Sequence, residues 1–260
     1  MLVVFTGILA VVSVLLKISL VNVITGLGVA TAVLALIFKD TILGLVASVQ
    51  ISGNNMVRLG DWITIPGRNV DGTVTDMTLY TVKVENFDKT ILTVPTYALV
   101  SESFQNWRGM EDAGVRRIKR EIRIDVRSIV FLTPDLLKKI GSLPLIAPWI
   151  EKNREAMEAV GRGEPTSLTN LHAFRAYMVE YLRNHVNIDT RMPIMVRDMP
   201  STDAGLPVEI YCFSKIHSWV PFEGVQSDVI DYTYAVVGRF GLKPFQSPAG
   251  SDLELIKPHS

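Results

Sequence analysis

Four histidines, one cysteine and 26 acidic side chains are the groups with which this chain could do acid–base, nucleophilic or metal chemistry. Their spacing supports none of it. His172, His185, His217 and His259 lack metal-ligand spacing, and Cys212, being alone, excludes an internal disulfide or a cysteine-cluster metal site. Cys212 lies in VEIYCFSK, an alternating strand-like run, where a thiol reads as an apolar filler compatible with a reducing cytosol. His172 and His185 share a predicted helix, one as a surface residue and one near its negative C-terminal end. No serine sits in G-x-S-x-G and no H-E-x-x-H occurs. GLGVAT contains G-x-G, but no strand precedes it, so it lacks the strand–turn–helix setting of a dinucleotide site. Asp125 and Glu209 fall in strand-like runs, where a solvated face is their ordinary role. No catalytic constellation is present in the sequence, so the chain is expected to be a non-enzyme with no cofactor and no metal, its function lying in its first, membrane-like zone.

Charge points to where. Lys and Arg number 26 against 26 Asp and Glu, a balance that argues against a nucleic-acid binder. The balance hides an asymmetry: from Met1 to Phe38 the only charged side chain is Lys17. Ile18 to Phe38 is 21 uncharged residues, and at ~1.5 Å per residue such a helix is about 30 Å long, the thickness of a bilayer core. A cleaved signal peptide fits poorly, because no basic residue opens the chain and a second apolar segment succeeds the first.

The elements around this segment fall into zones. Residues 1–17 read as a transmembrane helix, the last of several sensor helices. Residues 18–51 read as a second membrane helix, a break at Lys39 and Asp40, and an interfacial helix, TILGLVASVQI. Residues 52–110 contain WITI, GTVTDM, YTVKVENF and ILTVP, short strands with tight turns that suggest a small all-β barrel. Residues 111–245 mix strands (KREIRIDV, IMVRDM, PVEIYCFS) with helices and suggest an α/β domain. In that domain Thr133-Pro134 marks a helix start, and Leu171, Phe174, Met178 and Leu182 form one helical stripe. Residues 141–168, with GSLPLIAP and GRGEPTS, read as an irregular insertion, and 246–260 as a polar tail.

The membrane helix has an internal pattern. On a wheel at about 100° per residue, Gly26 and Ala30 form one compact flank, and Gly28, Thr31 and Ala35 another. Two small flanks suit a helix with a copy of itself on each side, and such heterologous contacts close into a ring. Between them lie Thr25, Val29, Ala32 and Leu36, a narrow, weakly polar stripe facing the axis, while Leu27, Leu34 and Phe38 face outward. A ring lined this way is a pore whose constriction is apolar.

From about Ile18 onward the chain resembles the MscS-like family of small-conductance mechanosensitive channels. RLGDWI (58–63) is similar to that family's approach to its β domain. VDGTVTDMTLYTVKV and FDKTILTVPTYALVSESFQNW are similar to its barrel. The insertion and the ending GLPVEIYCF…FGLKPFQSP resemble the longer miniconductance (YbdG-type) branch. The resemblance implies a homoheptamer in the bacterial inner membrane with cytoplasmic C-terminal domains. It implies opening under tension on hypo-osmotic shock, with ions and small solutes passing and lipids as the partners of the helices. On matching positions, Ala32 and Leu36 correspond to the apolar rings that seal the closed pore. Departures are Asp40 in place of a glycine at the helix break, Ala32 in place of leucine, and Thr96 after the barrel proline in place of asparagine. Asp40 is expected to cap the segment after the break. A receptor whose helix only dimerises is the competing class; it requires one small flank where this helix has two.

Overall fold

A computed structural model describes residues 1–17, 19–164 and 166–247. Most of the expected tail (248–260) and Ile18, the first residue of the expected pore segment, lie outside the described residues. The chain divides into two compact units, Met1–Gly109 and Met110–Ser260.

The first unit opens with α1 (Leu2–Leu16), which ends where Lys17 takes a left-handed conformation at φ 54°. Ser19 then caps α2 (Leu20–Gly53) by accepting a hydrogen bond from Asn22 N at 3.3 Å. α2 runs unbroken for 34 residues, so the break expected at Lys39 and Asp40 is absent, and TILGLVASVQI is the end of the same helix. The reason is local. Charge moves a helix out of hydrocarbon but does not break its backbone, and 39–40 holds neither the proline nor the small-residue pair that kinks do.

After α2 come β1 (Trp62–Ile65), β2 (Val70–Met77), β3 (Thr81–Asn86), β4 (Ile91–Pro95), α3 (Ala98–Ser101) and β5 (Gln105–Asn106). The strands pair antiparallel in the order β4-β3-β2-β1-β5. Among the described residues β4 and β5 form no ladder with each other, so the expected barrel is a sheet left open in its hydrogen bonding. A two-residue β5 is too short to close it. In β3, Val82 and Val84 are fully buried while Lys83 faces out, as period-2 alternation requires. Gly72 in β2 is dictated by close approach: a Cβ there would lie 2.1 Å from the Glu85 carbonyl oxygen across the ladder.

The second unit comes after α4 (Arg108–Ala113), which straddles the boundary. β6 (Arg116–Ile124), β7 (Met195–Asp198) and β8 (Leu206–Ser214) form an antiparallel sheet in the order β6-β8-β7. An antiparallel sheet with helices packed on it is α+β, a correction to the expected α/β class. α5 (Pro134–Gly141) is capped by Thr133, as its sequence dictates. α8 (Asn170–Asn184) buries Leu171, Phe174, Met178 and Leu182, and α9 (Trp219–Val237) closes the unit, with a turn after it ending at Gly241 with φ 72°. The expected irregular insertion is instead helical. α6 (Ala147–Lys152) and α7 (Arg154–Gly161) bury Trp149, Met157 and Val160 in the same core. Flanking Gly and Pro mask their apolar spacing. Central β8 is covered on both faces, so Cys212 is fully buried and its thiol is pushed up to about 12 by desolvation. Glu209 is buried too, not solvated as expected: Arg197 Nε reaches it at 2.8 Å and Lys119 Nζ at 3.6 Å.

Candidate functional site

The chemistry of α2 changes along its length. From Ile24 to Ile42 every side chain is exposed in the single chain. This includes the stripe Thr25, Val29, Ala32 and Leu36 and both flanks, Gly26 and Ala30, and Gly28, Thr31 and Ala35. Leu36 is 73% exposed, a large apolar side chain with no cover from its own fold. At Gly26 and Gly28 an added Cβ would meet nothing within 4 Å. Their smallness therefore answers no contact inside the chain. Thr31 turns its hydroxyl back to Leu27 O at 2.8 Å, the internal satisfaction a helix in lipid needs.

Lys39 and Asp40 sit exposed within the continuous helix. Asp40 is not the cap expected of it, because no helix begins there. It borders a groove of about 400 Å³ shared with Gly44, Tyr80 and Tyr97.

Beyond Asp40 the helix is anchored. Gly44, Ala47 and Ile51 are buried against the sheet, with Ile51 inside its core. Gly44 admits the Tyr80 ring, which an added Cβ would meet at 3.0 Å. Ser48 Oγ donates to the Leu79 carbonyl, and Thr96 Oγ1 donates to the same oxygen at 3.2 Å. Thr96 N also donates to Tyr80 O at 3.0 Å, so the residue after the β4 proline fastens the β2–β3 turn beneath the helix. Gly44, Ala47, Ser48 and Ile51 keep i, i+3, i+4, i+7 spacing. That spacing is present in the sequence, but reading TILGLVASVQI as an interfacial helix hides its buried face.

The linker after α2 is fixed by one carboxylate. Asp61, 7% exposed, accepts from Arg58 N at 2.8 Å, Asn106 Nδ2 at 2.9 Å and Arg108 Nε at 2.9 Å, with Arg108 Nη2 closing the fork. Asn106 Nδ2 also reaches Met56 O at 2.9 Å, and Arg108 Nη1 reaches Asn55 O at 3.1 Å. Asp61 thus joins the end of α2 to the end of the sheet. Burial pushes its carboxyl upward, the largest single influence. The bonds from Arg108, Asn106 and Arg58 together outweigh it and hold the group below the usual carboxylate range. Asp61 stands in RLGDWI, but nothing in the sequence links it to Arg108, 47 residues away.

α2 is long and apolar enough to cross a membrane and is anchored to the sheet at its C-terminal end, and no cluster of metal-ligating side chains occurs among the described residues. Residues 40–109 match the family model described as mechanosensitive ion channel, beta-domain. An uncharacterized MscS family protein of Helicobacter pylori is 28% identical over 233 residues, covering 88% of this chain and 34% of that one. The low conductance mechanosensitive channel YnaI of Escherichia coli is 26% identical over 211 residues, covering 81% of this chain and 49% of that one. The chain thus spans between a third and a half of the length of these relatives. Arabidopsis thaliana MSL1 shares the fold with a TM-score of 0.61 at 15% identity, over 93% of this chain and 72% of that one. Helicobacter pylori MscS in its closed state does so with a TM-score of 0.55 at 16% identity, over 88% and 72%. The likeness to mechanosensitive ion channels is thus carried by the family model at 40–109, by relatives 26–28% identical over more than four fifths of this chain, and by the shared fold.

Proposed function

We propose that the chain forms a tension-gated channel: a homoheptamer in the bacterial inner membrane with α2 lining the pore and the second unit in the cytoplasm. Ions and small solutes pass when hypo-osmotic shock stretches the membrane. The observation that carries the reading is α2 itself. Its apolar half is exposed and carries small residues that serve no contact inside the chain, while its other half is fastened to the sheet. In the ring, Gly26 and Ala30 of one copy meet Gly28, Thr31 and Ala35 of the next. Thr25 and Val29 line the axis, and Ala32 and Leu36 form the apolar constriction. At ~1.5 Å per residue, Leu20–Phe38 spans about 28 Å, a bilayer core, so Lys39 and Asp40 mark where the unbroken helix leaves hydrocarbon. The longer, YbdG-type branch is read from the resemblance of the 141–168 segment and of the ending GLPVEIYCF…FGLKPFQSP.

The seal is tested at one residue. A ring of leucines resists wetting because hydrating apolar surface costs about 25 cal/mol per Å². Leu36→Ser offers water a hydroxyl once per subunit, so the channel opens at lower tension or leaks, whereas Leu34→Ser on the outward face mainly impairs folding. Patch recordings of both variants in cells lacking other mechanosensitive channels decide it. A normal threshold in Leu36→Ser with a lowered one in Leu34→Ser would place the lining on the opposite face. Subunit counting in particle images checks the ring independently.

A further inference from the structure

The second unit contains a cleft that the channel reading does not use. It measures about 460 Å³, within the range of small-molecule sites, and lies between α6 and α8 beside β7. Two buried side-chain donors without an acceptor among the described residues, Trp149 Nε1 and Arg175 Nε, sit on residues that line it. Native folds satisfy nearly all such groups, so two in one place call for an explanation. Trp149 is 7% exposed and held in the core, its ring meeting His172 edge-on at 5.3 Å. Arg175 is positioned by a 3.0 Å ion pair from Nη1 to Asp198, which leaves Nε aside.

The charges at the mouth have one sign in excess. Arg183 is balanced by Glu180 at 2.6 Å. Lys152, on the last turn of α6, is exposed and has no ion pair among the described residues. A fixed guanidinium, an indole N–H and a free ammonium converge on the chemistry of an oxygen anion, which accepts several donors at once. We propose that this cleft binds a small oxyanion of the phosphate or carboxylate class, contacted by Trp149, Lys152 and Arg175. His172 reports the same positive field: burial first, then the charges of Arg175 and Lys152, lower its pKa against the opposing pull of Asp198.

The test uses the full chain in detergent micelles, freed of phosphate, with inorganic phosphate and citrate as separate probes in equilibrium dialysis. One saturable site per chain is expected for at least one probe, and the preferred probe names the anion class. Lys152→Ala, at a solvent-exposed position, should weaken that binding about tenfold, as should Trp149→Phe; Lys152→Arg should retain it and Lys138→Ala on α5 should leave it unchanged. Absence of saturable binding for both probes up to about 10 mM overturns the proposal. So does binding that Lys152→Ala leaves as tight as before, which would identify an adventitious site elsewhere.

Discussion

Asp61→Asn is the substitution that most directly tests how α2 is held to the sheet. The wild-type carboxylate accepts four hydrogen bonds, two of them from Arg108. Asparagine keeps one acceptor oxygen but turns an NH₂ toward donors and leaves the guanidinium without its counter-charge. Breaking one side of a buried ion pair typically costs about 3–5 kcal/mol. Here the Arg108 side chain is 22% exposed, so water softens the loss, and about 2–3 kcal/mol is expected. For a unit of this size that lowers its unfolding temperature by roughly 10 °C. The unit carries its own reporter: Trp62 and Trp107 stack at 4.6 Å, close to the network, and their fluorescence tracks unfolding of the full chain in micelles. The pH dependence has a fixed sign. The folded pKa of Asp61 is depressed, so its stabilisation is complete above the unfolded value of about 3.9 and is lost as pH falls through the lower folded value. The gap between wild type and Asp61→Asn should therefore be constant from about pH 5 to 7 and narrow below about 4. A variant that unfolds with wild type at neutral pH, or a gap that persists in acid, refutes the role given to this carboxylate.

The same geometry fixes other outcomes. Gly72→Ala places a Cβ against the Glu85 carbonyl and should disrupt the β2–β3 ladder by about 3 kcal/mol or more, read as early loss of the Trp62–Trp107 fluorescence signal. Ser48→Ala and Thr96→Val each remove one donor from Leu79 O and should each cost about 1 kcal/mol, but together cost more than their sum. Additive unfolding shifts would mean the two hydroxyls do not share that oxygen. Gly28→Leu should block assembly or shift gating in size-exclusion and patch measurements. Since an added Cβ at Gly28 meets nothing in its own chain, a normal ring and threshold would remove that flank from the interface.

The residues differ sharply in how legible they are. Strands β1 to β4 can be read because Val82, Val84 and their neighbours alternate, and α5 because Thr133-Pro134 is a local capping signal. Each of these is decided within a few residues of chain. The Asp61–Arg108 fork is decided by contacts 47 residues apart, which spacing cannot show. A break expected at Lys39-Asp40 treats charge as a backbone signal, when only the depth of the helix in lipid depends on it. Glu209 defeats the strand pattern because Arg197 of β7 and Lys119 of β6, its neighbours on the same face of the sheet, reach across and cover it, which alternation within one strand cannot show. The exposed stripe of α2 is the opposite case: the wheel orders its residues, but a single chain leaves all of them uncovered.

Continuity of α2 decides how it would work. A hinge at Asp40 would let the apolar half swing while the anchored half stayed with the sheet. An unbroken helix cannot do this, so any displacement of the apolar half at its base is shared with Gly44, Ala47 and Ile51, which are locked against Tyr80 and the sheet core. The lock is of two kinds. Close packing at Gly44 and Ala47 resists approach but lets the helix slide, whereas the bonds of Ser48 and Thr96 to one carbonyl resist sliding. Weakening the hydroxyls should therefore let the helix move along the sheet without leaving it, altering the tension at which the proposed pore opens more than its open conductance. Enlarging Gly44 to valine instead pushes Tyr80 away and separates the two elements. If Ser48→Ala with Thr96→Val changed conductance and left the threshold alone, the coupling of sheet to helix would have to run through the Asp61 network.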